Sequence, residues 1–265
     1  MDRSVDFEAL GLAALFEIEA GSGAERGWPA RCAEELREAG HLVAWFGSRE
    51  PSFVRRLTAL VPGAVVAPSV GSDRQVVWRH LLETVGASDA DAALRAPVIV
   101  PRALTDEARL ALRAKGWDGQ ARLLVVHPGA GGRSKLWPTD GFAAVLARLA
   151  EVRPGLAVVV HRGPADSEAV AALSVRLSRR ELRLEEPQLP LLAGALSLAS
   201  VYLGNDSGIS HLASALGVPA VVLFGRERIA WRPWAEHLRP HLVSMPTLDE
   251  ADVARVVDAL RPLLG

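Results

Sequence analysis

The stretch Val201–Gly225, VYLGNDSGISHLASALGVPAVVLFG, reads as a strand, a tight turn, a helix and a second strand. Val201, Tyr202 and Leu203 are a short apolar run, and Gly204-Asn205-Asp206-Ser207-Gly208 gathers residues that turn a chain or cap a helix. From Ile209 the apolar positions Ile209, Leu212, Ala213 and Leu216 recur at helical spacing until Gly217 stops them. Val218–Phe224 is a continuous apolar run of the kind found in a strand buried on both faces. A helix that starts directly after a strand offers unpaired N–H groups and a positive dipole end. Two glycines let a ligand come close to the backbone, and Asp206 can bond sugar hydroxyls or cap the helix. An ordinary Asx or Ser cap leaves the same signature, so the turn needs support from the rest of the chain.

That support begins at Arg122. Leu123–Val126 reads as a strand, HPGAGGRSKLWP as a loop and Thr139–Glu151 as a helix. Leu156–Val160 is the next strand, followed by a GPAD loop and a helix over 167–177. Leu182–Leu184 is a short strand and Leu189–Leu198 a helix; a terminal helix, Asp249–Leu264, follows the Trp/Pro-rich segment Trp231–Pro240. Strands alternating with helices predict an α/β fold with a doubly wound parallel sheet. The loop His127-Pro128-Gly129-Ala130-Gly131-Gly132 then falls at the carboxyl edge of that sheet, where open α/β folds bind ligands. Its N–H groups could cradle a diphosphate and Lys135 neutralise it, although a plain glycine turn with a surface lysine fits the same residues. The spacing is neither a P-loop nor GxGxxG, so a nicotinamide cofactor is not expected. Asp166 of the GPAD loop reads as a helix cap rather than a ligand contact. His211, one turn into the helix after GNDSG, reads equally as a packed side chain or as part of the anion site. Trp231 and Trp234, which flank Arg232-Pro233, are stacking candidates or packing anchors.

Composition narrows the classes further. The 265 residues carry 30 Lys and Arg against 31 Asp and Glu, a net charge of −1, with no basic stripe to suggest nucleic acid. The single cysteine, Cys32, excludes an intrachain disulfide, and no Cys/His cluster suggests a metal. No apolar run approaches the roughly 18 residues of a membrane span, and Asp2, Asp6 and Glu8 interrupt any signal-like start. A soluble, cytoplasmic protein is the expectation. The chain shows no H-E-x-x-H or G-x-S-x-G, so zinc and triad hydrolysis have no support.

The first part of the chain is less regular. Phe7–Ile18 and Pro29–Ala39 have helical spacing around a flexible Gly21-Ser22-Gly23, with no convincing strand before them. His41–Gly47 reads as a buried strand, Pro51–Leu60 as a helix with Pro in its first turn, Ala64–Ala67 as a strand and Gln75–Val85 as a helix. Thr105–Lys115 is helical with Thr105 as N-cap. The break Gly116-Trp117-Asp118-Gly119 suggests domains over 1–118 and 119–265, with the final helix free to pack back on the first.

Taken together, HPGAGGRSKLWP, the GPAD loop and GNDSGISHLASALGVPAVVLFG followed by WRPW resemble the ADP-heptose:lipopolysaccharide heptosyltransferase family, the family-nine glycosyltransferases. The resemblance is strong over Arg122–Trp234 and weaker over Trp45–Val85. It implies a GT-B architecture of two Rossmann-like domains, the C-terminal one for a nucleotide-diphosphate sugar (ADP-heptose favoured), the other for a glycan or lipid-linked glycan acceptor. Transfer would be inverting and would need no metal or other cofactor. Mapped onto this chain, the donor site would comprise His127, Gly129, Ala130, Gly131, Gly132, Lys135, Gly204, Asn205, Asp206, Ser207, Gly208 and His211, with Lys135 stabilising the leaving group. A cytoplasmic enzyme, peripheral to the inner face of the inner membrane, would follow. The family also opens with a strand and a Gly-rich turn ending in Gly-Asp, whose Asp is the general base. Nothing of that kind precedes His41, so the N-terminal domain reads as incomplete, no base is assigned, and His41–Gly47 is expected to expose an unpaired apolar edge. Asp2, Asp6 and Glu8 are acidic but lie in the wrong context. The alternative to an enzyme is a non-catalytic donor-binding remnant; a sugar epimerase of the same fold would need carboxylates that cannot be placed.

Overall fold

The computed structural model describes residues 5–16, 28, 32–71, 75–88, 95–177 and 181–265. The chain divides into two compact units, Met1–Asp89 and Ala90–Gly265. Among the described residues no helix is long and apolar enough to cross a membrane.

In the first unit, two single 3-10 turns, Glu8–Leu10 and Leu12–Leu15, replace the helix expected over Phe7–Ile18, of which residues 17 and 18 lie outside the described residues. Gly11, at φ +67°, separates the turns. Of the stretch Pro29–Ala39 only α1, Glu34–Arg37, is helical; residues 29–31 are not described. β1, Val43–Ala44, is much shorter than the His41–Gly47 run that predicts it. It pairs in parallel with β2, Val65–Val66, so one of its edges is covered. α2, Pro51–Leu60, and α3, Val77–Thr84, complete the unit. Leu12, Leu15, Cys32, Leu36, Ala44, Phe53 and Leu57 form its core, with Phe16 stacked on Phe53 at 4.3 Å.

The second unit contains α4, Arg102–Ala114; β3, Leu123–His127; α5, Thr139–Val152; β4, Ala157–Arg162; α6, Ser167–Arg176; and β5, Leu182–Glu185. It continues with α7, Leu189–Ser197; β6, Val201–Asn205; α8, Gly208–Ala215; β7, Ala220–Phe224; β8, Leu238–Leu242; and α9, Glu250–Leu260. Among the described residues its sheet has six strands in the order β5-β4-β3-β6-β7-β8, all parallel. This is the doubly wound, Rossmann-like order. α4 starts at Arg102 rather than at Thr105, whose hydroxyl instead meets Ser197 at 3.2 Å. Gly194 is why α4 lies so close to α7: a Cβ there would strike the Leu104 carbonyl. The segment 90–118 therefore counts with the second unit, and α9 lies on α5 within that same unit.

Strand alternation builds a core on each face. Leu124, Val126, Leu203, Val221 and Leu223 face one way, against Phe142, Leu149, Leu173 and Val256 from the helices. Leu123, Val125, Tyr202, Val222 and Phe224 face the other, against Leu112, Leu192 and Leu196. Each such side chain fully buried is worth about 1.5–3 kcal/mol. Gly217, at φ +73°, supplies the left-handed turn that stops α8 and lets Ala220 enter β7. β8 has no counterpart in the sequence reading. LRPHL alternates poorly and holds Pro240, which a strand tolerates at a sheet edge, and among the described residues β8 pairs with β7 alone.

After β8 the chain is tied to α9 by a buried carboxylate. Asp252, 1% exposed, accepts the Ser244 N–H at 2.7 Å and pairs with Arg255. Asp252→Ala leaves that N–H without its acceptor and should lower stability by about 1–3 kcal/mol. The measurement is a urea titration, in which the midpoint falls while the slope is unchanged.

Candidate donor site at the sheet switch point

β3 and β6 are neighbours in the sheet, yet the chain leaves them in opposite directions: β4 and β5 lie beyond β3, β7 and β8 beyond β6. The loops after β3 and β6 must therefore part, leaving a crevice at the carboxyl ends of these strands. The loop from Pro128 to Lys135 follows β3 and Asp206–Gly208 follows β6, so the two motifs read separately from the sequence flank one crevice.

Asn205 joins the two sides. Its Nδ2 donates to the Pro128 carbonyl at 2.8 Å, and its Oδ1 accepts the Trp137 N–H at 3.2 Å. Asn205 is fully buried and Trp137 is 1% exposed, lying edge-on to Phe142 at 5.3 Å. The glycine loop is thus held at both ends while Gly131 and Gly132 stay exposed, with open space where a Cβ would sit. The N–H groups of Ala130, Gly131 and Gly132 donate to nothing among the described residues. Across the crevice Ser207 caps α8, its Oγ accepting the Ser210 N–H at 3.4 Å, and the Gly208 and Ile209 N–H groups have no acceptor there either. Gly208 is exposed and also has open space around it. These donors and the helix dipole favour an anion.

Gly204 has a different task from the one its place in the motif suggests. A Cβ on it would strike the Tyr202 hydroxyl, which lies buried 3.0 Å from Ser210 Oγ. Ser210 Oγ in turn donates to the Asn205 carbonyl at 2.5 Å, bracing the turn from below. Burial pushes the Tyr202 pKa up, so its phenol stays protonated.

Asp206 does not cap the helix. Its Oδ2 receives Lys135 Nζ at 3.1 Å and Arg228 Nε at 3.4 Å, with the aspartate side chain 5% exposed. Arg228 lies on the 3-10 turn Arg226–Trp231 that follows β7, and its guanidinium sits 5.2 Å over the Trp231 ring. Two cations against one carboxylate leave a net positive charge beside the free N–H groups. His211 adjoins the cluster: partial desolvation and, less strongly, Lys135 push its pKa down, against the pull of Asp206 and a hydrogen bond to the Trp231 backbone. The sequence reading missed Arg228, because nothing in RERIAW marks one arginine over its neighbours until the turn folds over α8.

His127 lies beneath the crevice rather than in it. It is 3% exposed, its Nδ1 is 3.0 Å from Nδ1 of the equally buried His161, and its Nε2 is 3.9 Å from Asp166 Oδ2. Burial is the main cause that lowers both histidines, His161 to about 3. Two neutral rings can share one Nδ1 proton; the carboxylate facing His127 Nε2 favours a proton there, so His161 Nδ1–H donates. Asp166 stands at the N-cap position of α6 but does not cap the helix. It accepts the Gly163 N–H at 2.9 Å, and a Cβ on Gly129 would strike its carboxylate. Gly129 is thus small to seat the loop on Asp166. His161 gave no signal in the sequence, since a single histidine in an apolar strand looks like filling.

A doubly wound parallel sheet whose switch-point crevice is set with cations and spare N–H groups defines a Rossmann-like unit, and that crevice can receive an anion. The comparisons narrow this class. The sequence model of glycosyltransferase family 9 (heptosyltransferase) matches residues 73–255, and the chain belongs to that family. It is 27% identical over 138 residues to lipopolysaccharide heptosyltransferase 3 of Escherichia coli (strain K12), covering 49% of this chain and 40% of that protein. The chain spans about half the length, or less, of the curated relatives it matches. Among solved structures, the glycosyl transferase family 9 protein of Veillonella parvula DSM 2008 aligns with a TM-score of 0.68 at 19% identity, covering 87% of this chain and 76% of that one. E. coli ADP-heptose lps heptosyltransferase II aligns at 0.61 and 19% identity, covering 87% and 78%. The α/β, GT-B-type fold class expected from the sequence is the one observed.

Two outcomes follow from this packing. Gly204→Ala should cost about 1–3 kcal/mol by overpacking, and adding Tyr202→Phe, which removes the oxygen in the way, should recover part of it in urea titrations. The second concerns pH. Histidines held neutral below their unfolded pKa of about 6.5 contribute stability that is full above that pH. It is lost as pH falls towards the folded value, about 3 for His161. The urea midpoint should drop between pH 7 and pH 4, and His161→Asn, which keeps a donor near His127 but does not titrate, should flatten that drop.

Proposed function

We propose that the chain binds a nucleotide-diphosphate sugar at the crevice between β3 and β6 and transfers the sugar to a glycan. ADP-heptose is the favoured donor, and a lipopolysaccharide-core or related lipid-linked glycan the acceptor. Membership of family 9 supports the transfer, and the E. coli structure of similar fold is named for ADP-heptose. The observation that carries the reading is the meeting of Lys135 and Asp206 from two different loops, beside the free N–H groups of α8 and the glycine loop.

In the reaction an acceptor hydroxyl oxygen attacks the anomeric carbon from the face opposite the diphosphate. The bond from that carbon to the phosphate oxygen breaks, and the hydroxyl proton passes to a base. Negative charge grows on the leaving nucleoside diphosphate, where Lys135 and the α8 N-terminus can stabilise it without a metal. The configuration at the anomeric carbon is inverted. The site residues proposed are those on or under this crevice. Ala130, Gly131, Gly132, Lys135 and Gly208 face the donor, with Asp206 and His211 beside them. His127, Gly129, Gly204, Asn205 and Ser207 shape the loops. The division of labour proposed is 1–118 for the acceptor and 119–265 for the donor, with α4 of the first segment packed on α7 of the donor unit. The setting proposed is the cytoplasm, at the inner face of the inner membrane.

A non-catalytic donor-binding module is the second reading, and one observation favours it: Asp6 is engaged in the chain's own first turn, its Oδ1 accepting the Glu8 N–H at 2.9 Å. Asp2 lies outside the described residues. Acceptor-dependent release of nucleoside diphosphate supports the enzyme; tight donor binding with no release supports the module.

The first test is calorimetric titration with ADP, UDP and GDP in the absence of metal. ADP should bind, and Lys135→Ala should weaken it about tenfold or more, as expected for loss of a charge-assisted contact. No heat with any of the three nucleotides would sink the donor reading.

A further inference from the structure

Arg228 has no role in the motifs that identify the family resemblance, yet its surroundings are those of a built cation. Nε reaches Asp206 Oδ2 at 3.4 Å, the guanidinium carbon lies 5.2 Å over the centre of the Trp231 ring, and the side chain is 30% exposed. The two contacts hold the head group at Nε and against the ring. Neither Nη atom donates to any group among the described residues. An arginine held by Nε and beside an aromatic ring, with both terminal nitrogens free, is set to receive two oxygens of an anion. The oxygen that holds Arg228 is the same Oδ2 that holds Lys135, so both cations are directed from one point. One carboxylate cannot neutralise both, and the excess positive charge lies beside the unpaired Gly208 and Ile209 N–H groups.

We propose that Arg228 is a second anion-binding residue of the donor site, placing its Nη pair on the diphosphate opposite Lys135; this rests on the donor reading above. Asp206 then serves as the positioning residue for both cations. Its charge lets two like charges stand near each other in the free protein, where they would otherwise repel. On donor binding, the diphosphate supplies the negative charge that the pair lacks. Arginine suits this place because its fork spans two oxygens and its charge persists at any working pH. Trp231 contributes a face that orients the guanidinium without using any of its hydrogens.

The test is the ratio of ADP to AMP affinity, measured by calorimetry at fixed ionic strength in wild type, Arg228→Gln and Arg228→Lys. Direct contact predicts that Arg228→Gln weakens ADP about tenfold to a hundredfold and AMP much less, while Arg228→Lys restores part of the loss. An effect exerted only through Lys135 is separated by repeating Arg228→Gln in a Lys135→Ala background. A further loss there supports the proposal, and no further loss overturns it. Equal weakening of ADP and AMP overturns it too, since that marks a disturbed turn rather than a missing phosphate contact. If wild type binds ADP and both Arg228 variants bind it as well, only this inference falls. If wild type binds no nucleotide, the donor reading itself falls. Thermal midpoints of the unliganded variants within about 2 °C of wild type, a shift that corresponds to about 1 kcal/mol or less, show that each retains its fold.

Discussion

The parting of the chain between β3 and β6 is the constraint on which the site depends. Two adjacent parallel strands whose following helices go to opposite sides cannot be bridged by a crossover at their carboxyl ends. The gap would be a weakness if its two rims moved independently. Asn205 prevents this with one side chain, bonding Pro128 and Trp137 on the far rim while its own backbone ends β6. Buried amide bonds of this kind hold geometry because breaking either would leave a polar group without a partner away from water. Trp137, wedged against Phe142, then fixes the far end of the loop that carries Lys135.

Charge is arranged around that fixed frame. Asp206 is nearly buried, and a carboxylate so placed requires a partner; here it has two. The result is a site whose cations are preset, which is what stabilisation of developing negative charge demands: groups already aimed cost little reorganisation during reaction. Beneath the glycine loop the logic is reversed. His127 and His161 are kept neutral by burial and bond to each other, and the Asp166 carboxylate lies directly under Gly129. That carboxylate is turned to the Gly163 N–H, which stitches the loop after β4 to the loop after β3. Positive groups thus flank the crevice, while a neutral histidine pair and one carboxylate support the glycine loop from below.

Local periodicity made most of the second unit legible. Continuous apolar runs such as Val218–Phe224 and helical spacing such as Ile209–Leu216 are imposed by burial on two faces or one, and they survive in the order of residues. The failures were where burial leaves a weak trace. Leu238–Leu242 is an edge strand carrying a proline, and the short turns Glu8–Leu10 and Leu12–Leu15 bury only a few side chains around Gly11. Thr105 looked like a cap because a hydroxyl before an acidic residue is the usual sign, but Pro101 ends the extended segment earlier and α4 begins there.

The sequence alone determined the alternation of strands and helices, the two glycine-containing loops at the carboxyl edge of the sheet, and the family resemblance they carry, because each is a matter of neighbouring residues. Tertiary structure decided which side chains meet. That Gly204 makes room for Tyr202, that Gly129 rests on Asp166, that His127 faces His161 and that Arg228 shares Asp206 with Lys135 all join residues brought together by the order of the strands. Strand order sets which loops adjoin, and contact between loops distant in sequence is decided by packing of the whole sheet rather than by any local preference.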